Sequence, residues 1–222
     1  MTRRIESVRR PSVRGGRFTV VLEDGARLRL EQQVVENFGL TEGTELDEDV
    51  LARIRQANGR ASAKARAVRI LSAAPVSEQE LRRRLQQKGE ADEDAEEAVR
   101  WLSDLQLLDD RETARQLASA AARKGYGDRR IRQIFYEKGI DRALWDEALA
   151  DLPAPDGALD RFLAARFRGR LPDRDETRRA VEALQRRGHR WPDIRRALDR
   201  YAAGLDAADA FDDCGISCME DD

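Results

Sequence analysis

Three copies of one short pattern set the frame of this chain. Leu85-Gln86-Gln87-Lys88-Gly89, Phe135-Tyr136-Glu137-Lys138-Gly139 and Leu184-Gln185-Arg186-Arg187-Gly188 each run apolar residue, two spacers, cation, glycine, with the glycines 50 and 49 residues apart. Nine and ten positions beyond each glycine stand Ala98-Val99, Ala148-Leu149 and Ala197-Leu198, and six beyond stand Ala95, Trp145 and Ile194. Leu81, Ile131 and Ala180 lie one helical turn before the apolar anchors. The pattern has a direct physical reading. A cation suits the negative end of a helix, and glycine supplies the left-handed residue that ends it. A second helix then presents its apolar stripe. Ser77-Glu78-Gln79-Glu80 and Asp173-Arg174-Asp175-Glu176 read as capping boxes, and Asp92, Asp128 and Asp141 as further N-caps. Amphipathic helices at about 62–73, 110–124 and 157–168 precede each pair. Each unit of three helices is too thin to stand alone and needs its neighbours.

Ahead of the repeats, Phe18, Val20 and Leu22 alternate toward Asp24-Gly25, and Leu28 and Leu30 follow, which predicts a hairpin. Asp47 reads as the cap of a helix ending near Asn58-Gly59. The expected fold is mainly α: three tandem three-helix repeats in an elongated, curved array, preceded by a small β-hairpin/helix module. The boundaries are a basic arm at 1–17, the module at 18–59, repeats at 60–108, 109–153 and 154–202, and an acidic, disordered tail at 203–222. Charged residues make up 38% of the chain and aromatics 5%, which suits thin helical layers better than a thick sandwich or barrel core. No apolar run is long enough to span a membrane, and the N-terminus does not lead into a secretory signal. Cys214 and Cys218, the two cysteines, give no disulfide framework. A cytoplasmic protein is expected.

The net charge of −2 hides strong segregation. Residues 1–17 carry +5, 111–142 carry +5, 161–200 carry +7, and the last twenty residues carry −7. Of 41 basic residues only Lys64, Lys88, Lys124 and Lys138 are lysine, and arginine's planar fork suits phosphate and carboxylate partners. The clusters that stand out are Arg82, Arg83 and Arg84 in the first repeat, and Arg129, Arg130 and Arg132 in the second. The third holds Arg178, Arg179, Arg186, Arg187, Arg190, Arg195 and Arg196. Solvated helix faces with acid partners explain part of this content. The excess over residues 161–200 leaves many arginines to attract an anionic polymer or an acidic protein groove.

Catalytic readings find little to rest on. The one histidine, His189, lies beside a repeat glycine, where an exposed or capping role is expected, and no nucleophile has a recognisable setting. A phosphate-binding G-x-x-x-x-G-K-[ST] loop is missing. Glu90-Ala91-Asp92-Glu93-Asp94 is an acid run at a helix start, where acids belong without any metal. Two tail cysteines without further ligands rarely hold zinc. No catalytic, metal or cofactor site is expected. Trp101 and Trp145 read as packing residues, and Trp191 as partly exposed.

Pro75-Val76-Ser77-Glu78-Gln79-Glu80-Leu81-Arg82-Arg83-Arg84-Leu85-Gln86-Gln87-Lys88-Gly89 resembles the first repeat of the RecX family, bacterial regulators of the RecA recombinase. Leu102-Ser103-Asp104-Leu105-Gln106-Leu107-Leu108-Asp109-Asp110 resembles that family's junction into its second repeat. The family commonly has glycine where Gln106 stands and an aromatic near Thr113, so this chain departs there. Gly125-Tyr126-Gly127, then Ile131, Lys138-Gly139 and Arg186-Arg187-Gly188, continue the likeness over about 61–202. The resemblance implies a three-repeat, all-helical modulator that binds RecA filaments along their groove, and the chain is expected to be non-enzymatic and monomeric. It would inhibit strand exchange and ATP turnover in DNA repair, recombination and the SOS response. The other reading is a helical repeat protein that binds single- or double-stranded DNA directly, since helix pairs joined at glycine resemble helix-turn-helix units.

Overall fold

In a computed structural model, which describes residues 2–13 and 15–205, the chain forms two units that part between Asp109 and Asp110. The first begins with strand β1 (Arg3–Arg9), then β2 (Phe18–Leu22) and β3 (Arg27–Leu30). Helix α1 (Gln32–Asn37) and the short strand β4 (Glu45–Leu46) follow. The β2–β3 hairpin turns at Asp24-Gly25 as predicted, with Gly25 at φ 81°. The expected basic arm is different. Its residues 3–9 pair with both β2 and β4, giving an antiparallel sheet in the order β3-β2-β1-β4. Ile5 is buried there beside Val20 and Leu22, so this basic segment carries one apolar anchor that alternation with charged neighbours conceals.

Helix α2 (Glu48–Ala73) starts as expected, with the Asp47 carboxylate accepting from the Val50 amide at 2.7 Å. It does not stop at Asn58-Gly59. Asn58 Oδ1 accepts from the Glu31 amide at 2.8 Å, and its Nδ2 donates to the Arg29 carbonyl at 3.2 Å. A Cβ on Gly59 would fall 2.2 Å from the Asp94 carboxylate. Both residues serve tertiary contacts that look like a helix stop in the sequence. Consequently one helix packs Leu51 and Ile54 against the sheet and Ala63 and Ala67 into the first repeat.

The first repeat continues with α3 (Glu78–Gln87) and α4 (Asp92–Asp104). Leu81, Leu85, Ala95, Ala98, Val99 and Leu102 bury the predicted stripe. Ser77 caps α3 by accepting from the Glu80 amide at 3.0 Å. The second unit holds α5 (Asp110–Arg123), α6 (Asp128–Lys138), a 3-10 turn (Arg142–Leu144) and α7 (Trp145–Ala150). Then come α8 (Asp156–Phe167), α9 (Arg174–Arg186) and α10 (Trp191–Ala203). Ile131, Phe135 and Ala148 anchor one core, and Ala180, Leu184, Ile194, Ala197 and Leu198 another.

Gly89, Gly139 and Gly188 all adopt positive φ, at 84°, 68° and 88°, so the repeated glycine does end a helix each time. Gln106, standing where glycine was expected, is also left-handed at φ 55°. Asp173 forms its capping box with Glu176, and Asp141 caps the 3-10 turn. Asp92 and Asp128 sit one position inside their helices, behind Ala91 and Gly127. Among the described residues no helix is long and apolar enough to cross a membrane. The acidic tail from 206 onward, with Cys214 and Cys218, lies outside the described residues.

Candidate partner-binding surface

The arginines singled out from the sequence fall into three groups by what they touch. Some are committed. Arg83 and Arg84 both hydrogen-bond Glu80, whose carboxylate is buried. Burial works against that charge, but the hydrogen bonds from Arg84 and Arg83 outweigh it and hold the carboxyl below its ordinary range. Arg82 is half-buried instead, and its enclosed Nε meets no hydrogen-bond partner among the described residues. Arg132 binds Asp128 at 3.1 Å and Asp146 at 2.8 Å. Arg190 binds Asp128 at 2.5 Å, and Arg196 binds Asp193. Arg129, exposed on α6, also has a partner.

A second group is loosely held at the surface. Arg178 meets Asp175 at 3.2 Å, Arg130 meets Glu137 at 3.6 Å, and Arg186 meets Glu182 at 3.9 Å. Such exposed pairs are worth at most about 1 kcal/mol and exchange readily for another anion. Arg187 lies over the Phe162 ring at 4.8 Å and meets no acid among the described residues. The third group is uncommitted: Arg179 on α9 and Arg195 on α10 are exposed and meet no acid among the described residues. Arg178, Arg179 and Arg186 share an arc of about 100° on α9. The structure therefore concentrates exposed, available guanidinium groups in the third repeat, while Arg83 and Arg84 of the first repeat are tied to Glu80 of their own helix.

Sequence reasoning missed the junction on which this surface is mounted. The Gly125-Tyr126-Gly127 turn before α6 meets the Arg187-Gly188-His189 turn before α10, backbone to backbone. The Gly127 amide donates to the Arg187 carbonyl at 2.8 Å, and the Arg129 amide donates to the Gly188 carbonyl at 3.1 Å. A Cβ on Gly127 would stand 2.5 Å from the Gly188 carbonyl oxygen, and one on Gly188 would stand 2.3 Å from the Arg130 nitrogen. Two glycines in one tight turn were the available signal, but their partner lies some sixty residues away. Arg190, a candidate contact from sequence, is spent here on Asp128.

His189 belongs to the same junction and is buried, so of the exposed and capping roles expected of it the structure shows the capping one. Its Nε2–H donates to the Gly125 carbonyl at 3.1 Å, so it does cap the turn after α5. That leaves Nδ1 as an enclosed, unpaired acceptor. Burial pushes the imidazole below its ordinary range, against the Gly125 bond and Asp193, while nearby Arg187 lowers it further. The unfolded chain then binds a proton that the folded one refuses. Stability should fall as pH drops below about 6.5 and level off at the folded pKa, with a slope approaching 1.4 kcal/mol per pH unit. Urea unfolding between pH 8 and pH 5 should show this slope in the natural chain and lose it in His189→Gln.

The acid run 90–94 also has structural partners. Glu90 accepts from Ser62 at 2.8 Å and Arg66 at 2.6 Å, and Asp92 accepts from Gln86 at 3.1 Å. Trp145 packs on Phe135 with its Nε1 donating to the Ile140 carbonyl at 3.0 Å, and Trp101 lies under Lys64.

Comparison with known proteins agrees with this architecture. Residues 63–102 match the RecX first three-helix domain, and residues 109–149 the RecX second three-helix domain. A regulatory protein RecX from Vibrio campbellii is 33% identical over 139 residues, covering 62% of this chain and 90% of that protein. One from Cronobacter sakazakii is 41% identical over 96 residues, covering 39% of this chain and 58% of the relative's length. Among solved structures, a regulatory protein RecX superposes with a TM-score of 0.63 at 24% identity, covering 89% of this chain and 99% of that one. RecX from Lactobacillus salivarius gives 0.55 at 20% identity, covering 68% and 98%. These superpositions share the fold, and the sequence match extends over nearly the whole Vibrio protein: the chain belongs to the RecX family of regulatory proteins.

Proposed function

We propose that this protein binds RecA-type recombinase filaments and lowers their strand-exchange and ATPase activities, without making or breaking bonds itself. The observation that carries this reading is the set of available arginines on the third repeat, Arg178, Arg179, Arg186, Arg187 and Arg195, within a chain of the RecX family. Helical units repeated in tandem make several weak contacts, each at high effective concentration once the first has formed. Guanidinium groups without firm internal acids answer a negatively charged filament, through its acidic side chains, its enclosed DNA backbone, or both.

The test is the DNA-stimulated ATPase of the cognate recombinase with and without this protein. Inhibition at substoichiometric ratios is expected. Inhibition that appears only when the protein saturates the DNA, and that excess DNA relieves, would replace this reading with the second one. In that second reading the protein binds DNA directly, and the uncommitted Arg179 and Arg195 favour it because phosphates need no particular protein partner. It requires binding to naked DNA with a steep dependence on salt.

A further inference from the structure

The second unit contains a cleft of about 1130 Å³ that the proposed function does not use. Ile131, Leu149, Leu152 and Pro155 supply apolar lining, and Arg123 and Arg161 stand exposed along it. This volume lies at or above the upper end for small-molecule pockets, which suits a stretch of several residues. The charge balance of the lining is informative. Asp128 is answered by Arg132 and Arg190, Asp151 by Arg115 at 3.3 Å, and Asp193 by Arg196. Arg123 and Arg161 meet no acid among the described residues. The site is therefore apolar inside, positive at its edge, and short of anions.

The chain itself supplies a matching segment. Residues 206–222 contain seven acids and no base, and Phe211 stands between Asp209 and Asp212-Asp213. Their point of departure is also suitable. Arg200 donates to Asp156 at 3.1 Å and to Asp160 at 2.8 Å, which holds the last turn of α10 beside the first turn of α8. The N-terminal part of α8 and its cap contribute Pro155, Gly157, Ala158 and Arg161 to the cleft. Phe211 lies six positions beyond Leu205, and six extended steps reach roughly 20 Å, about the whole length of α10.

We propose that this cleft is the receptor for the chain's own acidic segment, with Phe211 on the apolar lining and the flanking aspartates against Arg123 and Arg161. A tethered ligand of this kind binds at millimolar effective concentration without a tight intrinsic contact. It would compensate the positive charge of this unit in the free protein and weaken as salt rises.

Cys214 and Cys218, the chain's two cysteines, give a native handle for the test. The full chain carrying Cys218→Ser is labelled at Cys214 with a nitroxide, and paramagnetic broadening of backbone amide signals is measured. Broadening at Tyr126 and along 151–158 is expected, greatly reduced by Phe211→Ala and by the pair Arg123→Glu and Arg161→Glu. Absence of broadening there, or broadening that neither change reduces, overturns the proposal. Broadening that grows with protein concentration assigns the cleft to a second copy's segment and overturns the tethered form. Signal dispersion in the unlabelled variants shows that they are folded. No recombinase or DNA enters the measurement, so it stands or falls apart from the filament reading.

Discussion

Alanine at Gly188 is expected to lower the stability of the second unit by about 3 kcal/mol, whereas alanine at Gly89 should cost the first unit only about 1 kcal/mol. The two glycines hold the same place in the repeated pattern and the same left-handed conformation, at φ 88° and 84°. An L-residue pays a similar backbone penalty at either. What differs is the space around them. A Cβ on Gly89 meets nothing within 4 Å, while one on Gly188 collides with the backbone nitrogen of Arg130 at 2.3 Å and its Cα at 3.0 Å. Backbone cannot swing aside as the end of a side chain can. The Gly127–Arg187 and Arg129–Gly188 hydrogen bonds must lengthen to make room, and His189 loses its fit beneath Gly125. Urea unfolding followed by tryptophan fluorescence reads each transition, with Trp101 in the first unit and Trp145 and Trp191 in the second. A shifted midpoint at unchanged slope isolates stability from altered compactness. Equal costs at the two positions would mean that the junction adds nothing beyond backbone conformation. Gly127→Ala, which leaves φ in the ordinary region but clashes with Gly188, should approach the cost of Gly188→Ala.

The contrast between these glycines also shows what the sequence could reveal. Helix ends and apolar stripes are local: a cation, a glycine and alanines at fixed offsets determine them whatever else the chain does, so all three repeats were legible. The same glycine serves as a helix stop at position 89 and as a docking surface at position 188, and only the folded chain separates the two. Asn58-Gly59 misled for a related reason, because a residue pair that favours turns was used for side-chain and close-packing contacts inside a continuous helix. Strand β1 stayed hidden because Ile5 is its one fully buried apolar residue among arginines. Arginine counts measured net charge and left open which guanidinium groups are spoken for. Arg190 and Arg132 are both drawn to Asp128, one of them across 62 residues, and no local pattern announces a pairing of that range.

That distinction between counted and available charge carries the second large effect. Arg179→Glu with Arg195→Glu is expected to weaken inhibition of the recombinase ATPase roughly thirtyfold, since each change removes an uncommitted cation and puts an anion before a negative surface. Arg55→Glu, at an exposed position of α2, makes a like change per site and should leave inhibition within about twofold, which separates local contact from bulk charge. Fold is not at issue, because among the described residues neither arginine holds an acid whose loss would leave a buried charge unpaired. Salt dependence then distinguishes what the surface meets. Two lost phosphate contacts reduce the slope of log affinity against log salt on naked DNA by about 2. An unchanged DNA slope beside weakened ATPase inhibition assigns the arginines to acidic side chains of the filament. Inhibition unaffected by the double reversal would remove Arg179 and Arg195 from the mechanism. The loosely paired Arg178 and Arg186 would then be the next to reverse, since their acids, Asp175 and Glu182, are themselves exposed and release them at little cost.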